Sequence, residues 1–177
     1  MIEIYQIAKL EKGVSEIPGA ANNERIVGYH ESTSIGKSDD EVPWCSSFVN
    51  WCCEAAGYVG TDSPAARSWL KWGRPVAEPY EGCIVVLKRG TSSWQGHVGF
   101  FVKENERSIW VLGGNQSNQV NISRYSKSKV LGYRDIEGKN VNSKSNSEVR
   151  SNSSSNPVSF WGRLVSRLRF GDRKREA

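Results

Sequence analysis

Over residues 1–137 the apolar patterning changes from a helical spacing in the first half to short strand-like segments in the second. This change restricts the fold to the α+β class, with N-terminal helices packed on a C-terminal antiparallel sheet. Ile4, Ile7 and Ala8 give a short amphipathic period that ends near Gly13, and residues 22–30 repeat it at Ile26 and Val27 with Asn23 as a cap. The strongest helical pattern follows Asp39, Asp40 and Glu41. Cys45, Phe48, Val49, Cys52 and Ala56 fall on one face of it, and Gly57 stands where such a helix ends. The three acidic residues are expected to cap that helix and complement its dipole. They lack the alternating spacing of a calcium loop. Ser63-Pro64 predicts a further short helix that stops at Gly73. Residues 83–87, 97–102, 108–112, 120–123 and 130–133 then read as strands, with Glu104-Asn105-Glu106 as a hairpin signal.

At residue 138 the patterning stops. Twelve of the 19 residues in 138–156 are Ser or Asn, the composition of a flexible linker. Residues 157–170 regain a helical period, with Trp161, Leu164, Val165 and Leu168 on one side and Arg163 and Arg167 on the other. Three parts are therefore expected: a domain at 1–137, a linker at 138–156 and a cationic amphipathic tail at 157–177. Charge follows the same division. The tail holds six of the 24 Lys and Arg residues and two of the 19 Asp and Glu residues. The body is left near neutrality, which excludes a strongly basic nucleic-acid-binding body. No apolar run approaches the roughly 18 residues of a membrane span. The tail is about 21 Å long as a helix, so it would lie on a membrane and not cross it. Trp161, Arg163, Leu164, Arg167 and Leu168 are the residues expected to engage an anionic membrane or lipopolysaccharide.

The chain has four cysteines and two histidines. No C-x-x-C pair is present, which argues against both a thiol redox protein and a structural zinc site, and the thiols are expected to be reduced. No cofactor-binding motif is present. Cys45 falls in the first turn of the strongest predicted helix, where unpaired N–H groups and the helix dipole favour a thiolate. The bland alternative is one more core cysteine. His97 opens a predicted strand after the polar segment Ser92-Ser93-Trp94-Gln95. A neutral imidazole there is suited to take a thiol proton and return it to a leaving amine. Its alternative is a structural histidine, the reading also given to His30. Asn115 ends the next strand in Gly113-Gly114-Asn115-Gln116. Its carboxamide can orient an imidazole, or it can be an ordinary turn residue. The Cys45 N–H is the simplest oxyanion donor.

Taken together, these residues resemble the cysteine peptidoglycan hydrolases of the NlpC/P60–CHAP superfamily. The likeness lies in Ile17-Pro18-Gly19, Tyr29-His30, residues 41–52, residues 65–70, Gly96-His97-Val98-Gly99-Phe100 and residues 112–121. It is strongest for a small phage and prophage branch with an EVPWC-S-x-FVNWC motif, read here from Glu41 to Cys52. The resemblance implies a papain-like fold with Cys45 as nucleophile, His97 as base and Asn115 as the orienting residue. Where many relatives place a Glu before the asparagine, this chain has Gly113-Gly114. The implied function is an endolysin-like amidase or endopeptidase of the cell wall; a monomer without cofactor is expected, and calcium at Asp39, Asp40 and Glu41, which some relatives bind, is the less favoured alternative to capping. It would be made in the host cytoplasm without its own signal peptide and act on peptidoglycan after release. The alternatives are a secreted antibacterial amidase and a non-catalytic wall- or membrane-binding module acting through the tail.

Overall fold

The computed structural model describes residues 1–136. The linker at 138–156 and the tail at 157–177 lie outside the described residues. So do the predicted C-terminal helix and its residues Trp161, Arg163, Leu164, Arg167 and Leu168.

Three helices precede a six-stranded antiparallel sheet, so the architecture is α+β. The helices are α1 (Ile2–Leu10), α2 (Glu24–His30) and α3 (Cys45–Ala55). The strands are β1 (Arg74–Val76), β2 (Ile84–Lys88), β3 (Gly96–Glu104), β4 (Ser108–Gly113), β5 (Asn121–Ser126) and β6 (Val130–Asp135). Their order in the sheet is β1-β6-β2-β3-β4-β5. Strand β1 has no counterpart in the sequence reading, because Arg74-Pro75-Val76 is too short to show alternation. It forms by pairing with the end of β6. The segment expected to form a helix after Ser63-Pro64 is instead a 3₁₀ helix, Ala66–Lys71.

Side chains on the two faces of the sheet enter different cores. Ile84, Val86, Val98, Phe100 and Leu112 pack against the helices, meeting Ile4, Tyr29, Phe48 and Val49. Cys83, Val85, Leu87, Phe101, Ile109 and Val111 form a second cluster on the other face. Tyr125 from β5 and Tyr133 from β6, strands separated by three others, both pack on this cluster. The sheet therefore curls around it. Burial on both faces explains why β2 reads as a continuous apolar run and not as an alternation. Each large side chain buried in this way contributes about 1.5–3 kcal/mol.

Helix α3 is the centre of the domain. Its polar residues Ser46, Ser47 and Asn50 are buried together with apolar ones, and each has partners. Ser46 Oγ donates to the Ser63 carbonyl at 2.6 Å and accepts from Trp69 Nε1 at 2.9 Å. Asn50 Oδ1 accepts from the Thr61 and Asp62 N–H groups. Ser47 Oγ pairs with His30 Nδ1 at 3.0 Å, which joins α2 to α3. His30 is thus a buried structural histidine.

Asp39, Asp40 and Glu41 do not cap α3. That helix begins four residues after Glu41, with Trp44 at the N-cap position and no side-chain cap. The fully buried Asp40 carboxylate instead accepts the N–H groups of Ile17 (3.0 Å) and Asn23 (2.8 Å). Its charge therefore lies at the start of α2, where Asn23 caps Arg25 N–H. Asp39 bonds the Asn22 side chain. Together they fasten the 17–23 loop to the segment that leads into α3.

Candidate active site

Cys45 is the first residue of α3. Because no side chain caps this terminus, its backbone N–H groups remain available to the thiol. Cys45 is 8% exposed and borders a cleft of about 450 Å³, the size of a small-ligand site. His97, Gln116 and Tyr125 border the same cleft. His97 is the second residue of β3, opposite Leu87 of β2.

His97 is oriented by Gln116 and not by Asn115. The Gln116 side chain is buried, and its Nε2 donates to the carbonyl oxygens of Val111 (3.1 Å) and Asn121 (2.6 Å) and to Asn121 Oδ1 (3.1 Å). Three acceptors around one end fix the amide orientation. Its Oε1 must then face His97 Nε2, at 3.1 Å, and also accepts the Tyr125 hydroxyl at 2.9 Å. A carbonyl oxygen can only accept, so His97 carries its proton on Nε2 and keeps the Nδ1 lone pair as a base. Tyr125 further packs on the imidazole, with ring centroids 5.5 Å apart.

Asn115 borders the same cleft as Cys45 and His97, but its side chain bonds elsewhere. Asn115 adopts a left-handed conformation (φ 56°). Its Nδ2 donates to Glu16 Oε1 at 3.0 Å, and the same oxygen accepts Trp44 Nε1 at 2.8 Å. Glu16 thereby ties the residue before Cys45 to the loop that presents Gln116. Space requires the glycine at 114 and is tight at 113. A Cβ on Gly114 would enter the Trp44 indole, and one on Gly113 would stand 3.3 Å from His97 Nε2. Sequence reasoning missed Glu16, Gln116 and Tyr125. The only signal for Gln116 was its position next to Asn115.

Burial governs the titration of the pair. It pushes the Cys45 thiol up, against the opposing effect of the Val98, Ser46 and Cys45 N–H groups and the Arg89 guanidinium. It pushes His97 down to about 4, with the Gln116 bond opposing the shift and Arg89 adding to it. The expected standing thiolate is therefore replaced, at rest, by a neutral thiol and a neutral imidazole. Proton transfer is left to the moment of attack. A neutral carboxamide behind the imidazole suits this arrangement, since a carboxylate would hold the ring protonated to higher pH.

The remaining cysteines, Cys52, Cys53 and Cys83, are free and fully buried. Among the described residues, no group of three or more His, Cys, Asp or Glu side chains is placed to hold a metal.

Gln116→Ala should lower turnover about 10- to 100-fold, because the imidazole loses the bond that sets its tautomer. Asn115→Ala should lower it less, because Asn115 acts only through the loop. Steady-state rates on purified sacculi check the order, and a larger loss for Asn115→Ala would return the orienting role to that residue.

Residues 37–115, just under half the chain, match the family described as CHAP domain, and the match ends one residue before Gln116. No curated protein matches the chain. CHAP domains are in general cysteine- and histidine-dependent amidases or peptidases of peptidoglycan, and the match supports a hydrolase of the CHAP and NlpC/P60 type with peptidoglycan as its substrate.

Proposed function

We propose that the protein is an endolysin-like peptidoglycan hydrolase with a papain-like site, in which Cys45 is the nucleophile and His97 the base. The observation that carries this reading is a cysteine on an uncapped helix terminus sharing a cleft with a histidine of fixed tautomer. Cys45 Sγ attacks the carbonyl carbon of an amide bond while His97 Nδ1 takes the thiol proton. The resulting oxyanion is met by the Cys45 N–H at the start of α3. Collapse breaks the C–N bond, and His97 returns the proton to the departing amine. Water then attacks the thioester with His97 as base, releasing a carboxylic acid and restoring the thiol.

The motif at 41–52 supports the phage branch, and with it action on the wall after release from the host cytoplasm. The cationic segment 157–177 supports contact with anionic membrane or lipopolysaccharide through Trp161, Arg163, Leu164, Arg167 and Leu168. Deleting 157–177 should leave the cutting of purified sacculi within about twofold of the full chain. The same deletion should weaken binding to vesicles of anionic lipid at low salt about tenfold or more, since about 1 kcal/mol is lost per basic residue. Equal vesicle binding by both forms would remove the membrane role. The hydrolase reading itself is tested by incubating purified sacculi with the full chain and looking for Cys45-dependent release of soluble peptides.

A further inference from the structure

Residues 13–16 hold the loop that presents Gln116. They run antiparallel to residues 118–120, with Ser15 opposite Gln119. The Gly13 N–H donates to the Val120 carbonyl (2.9 Å), the Val120 N–H to that of Val14 (2.8 Å) and the Glu16 N–H to that of Asn118 (2.9 Å). The loop needs such support. Asn115, Ser117 and Asn118 are all left-handed, with φ of 56°, 53° and 62°, and a backbone of that kind persists only where its surroundings over-determine it. The segment is anchored in turn. The Ser15 carbonyl accepts Asn23 Nδ2 (2.7 Å), and the Asn23 N–H donates to Asp40, on the segment that leads into α3.

Glu16 stands where these supports meet. Its Oε1 accepts both Trp44 Nε1 (2.8 Å) and Asn115 Nδ2 (3.0 Å). Trp44 is fully buried, precedes Cys45 at the N-cap of α3 and lies against Gly114. Asn115 precedes Gln116, whose Oε1 faces His97 Nε2. One carboxylate oxygen thus fixes the residue before the nucleophile and the residue before the group that orients the base. The contact of Trp44 with Gly114 limits how near these two parts can come, and Glu16 limits how far they can separate. Little separation is tolerable, since a displacement of about 1 Å in a catalytic group costs on the order of 10²-fold in rate.

We infer that Glu16 is a positioning residue for the Cys45–His97 pair, acting through Trp44 and Asn115. This rests on the hydrolase reading and adds to it a residue that does not itself border the cleft.

The test follows the bond that Glu16 is inferred to protect. The chain has two histidines, so the ring protons of a ¹⁵N-histidine-labelled full-length chain can be assigned with His97→Ala. In folded Glu16→Ala the His97 Nε2 proton should exchange with water about tenfold faster or more than in the wild type, measured relative to the core amides of β3. On purified sacculi, kcat per folded chain should fall about tenfold while KM stays within about twofold, the signature of lost alignment and not of lost binding. Glu16→Gln keeps an acceptor oxygen at the same place, so it should restore both quantities to within about threefold of the wild type. A residue that serves stability alone would speed the β3 amides equally and leave kcat per folded chain as it was. Unchanged relative exchange or unchanged kcat in folded Glu16→Ala overturns the inference, and so does Glu16→Gln behaving as Glu16→Ala does. Should Glu16→Ala fail to fold, Asn115→Asp takes its place. Aspartate matches asparagine in shape and tolerates the same backbone, but it sets a second carboxylate against Glu16 in place of the donor. Faster exchange of the His97 proton is expected there too, and the wild-type rate overturns the inference. If the wild type cuts no sacculi, the exchange measurement alone decides the role of Glu16, and it is the hydrolase reading that fails.

Discussion

Replacing Cys45 with alanine should abolish the release of wall fragments, lowering the rate by about four orders of magnitude or more, because no other group can form the thioester. Neighbouring nucleophiles offer no substitute. The Ser46 hydroxyl is engaged by Ser63 and Trp69, and that of Ser47 by His30. The fold should survive the change. Cys45 is the first residue of α3 and borders a cleft, and alanine is a good helix former. Circular dichroism and a thermal melt establish folding, and turbidity loss of sacculi measures activity. In the wild type, alkylating agents at neutral pH should reach Cys45 before Cys52, Cys53 or Cys83, which are fully buried. More than about 1% of wild-type lysis in a folded Cys45→Ala protein would remove Cys45 as the nucleophile.

His97→Ala should cost about 10²–10⁴-fold, the usual contribution of a positioned general base. The pH profile of the wild type adds a result that a structural histidine would not produce. The base must be neutral, and burial holds the imidazole at about 4. Activity should therefore be retained as pH falls through the ordinary imidazole range near 6.5 and be lost only as it approaches about 4. The raised thiol pKa places no loss of activity at mildly alkaline pH, where a pre-formed thiolate–imidazolium pair would lose its imidazolium proton. Initial rates on sacculi at constant ionic strength, between pH 3.5 and 9, provide the profile. An acid limb centred at 6.5 would show that the imidazole is solvated and that the cleft does not control its proton.

Local patterns made Cys45 and His97 legible in the sequence. The apolar face of α3 begins at Cys45, and β3 is a nine-residue strand that His97 nearly opens. Both positions follow from periodicity, which sequence shows directly. Gln116 lies where periodicity ends. Between β4 and β5 the chain passes through left-handed residues at Asn115, Ser117 and Asn118, and such a loop sends adjacent side chains in directions that no repeat specifies. A choice between Asn115 and Gln116 is a choice between neighbours, and the first turns to Glu16 while the second turns to His97. Glu16 was hidden for another reason. Its partners Trp44 and Asn115 lie 28 and 99 residues away, and only the folded chain brings them to one oxygen. Asp40 misled because an acidic residue just before a helix reads as its cap, whereas the carboxylate is drawn into the buried start of α2. Lys88, Arg89 and Lys129, which border the cleft, gave no signal in composition, since the body is nearly neutral and they come from the end of β2 and the turn before β6.

The most direct measurement of the central claim is mass spectrometry of the soluble products released from purified sacculi by the wild-type chain and by Cys45→Ala. Hydrolysis of an amide or peptide bond by Cys45 and His97 should give fragments with one new amine and one new carboxylate per cut, the mass of one water added, and intact glycan linkages. The Cys45→Ala chain should release none of them. Fragments cut only between sugars, or the same peptide fragments from the folded Cys45→Ala chain, would contradict the account.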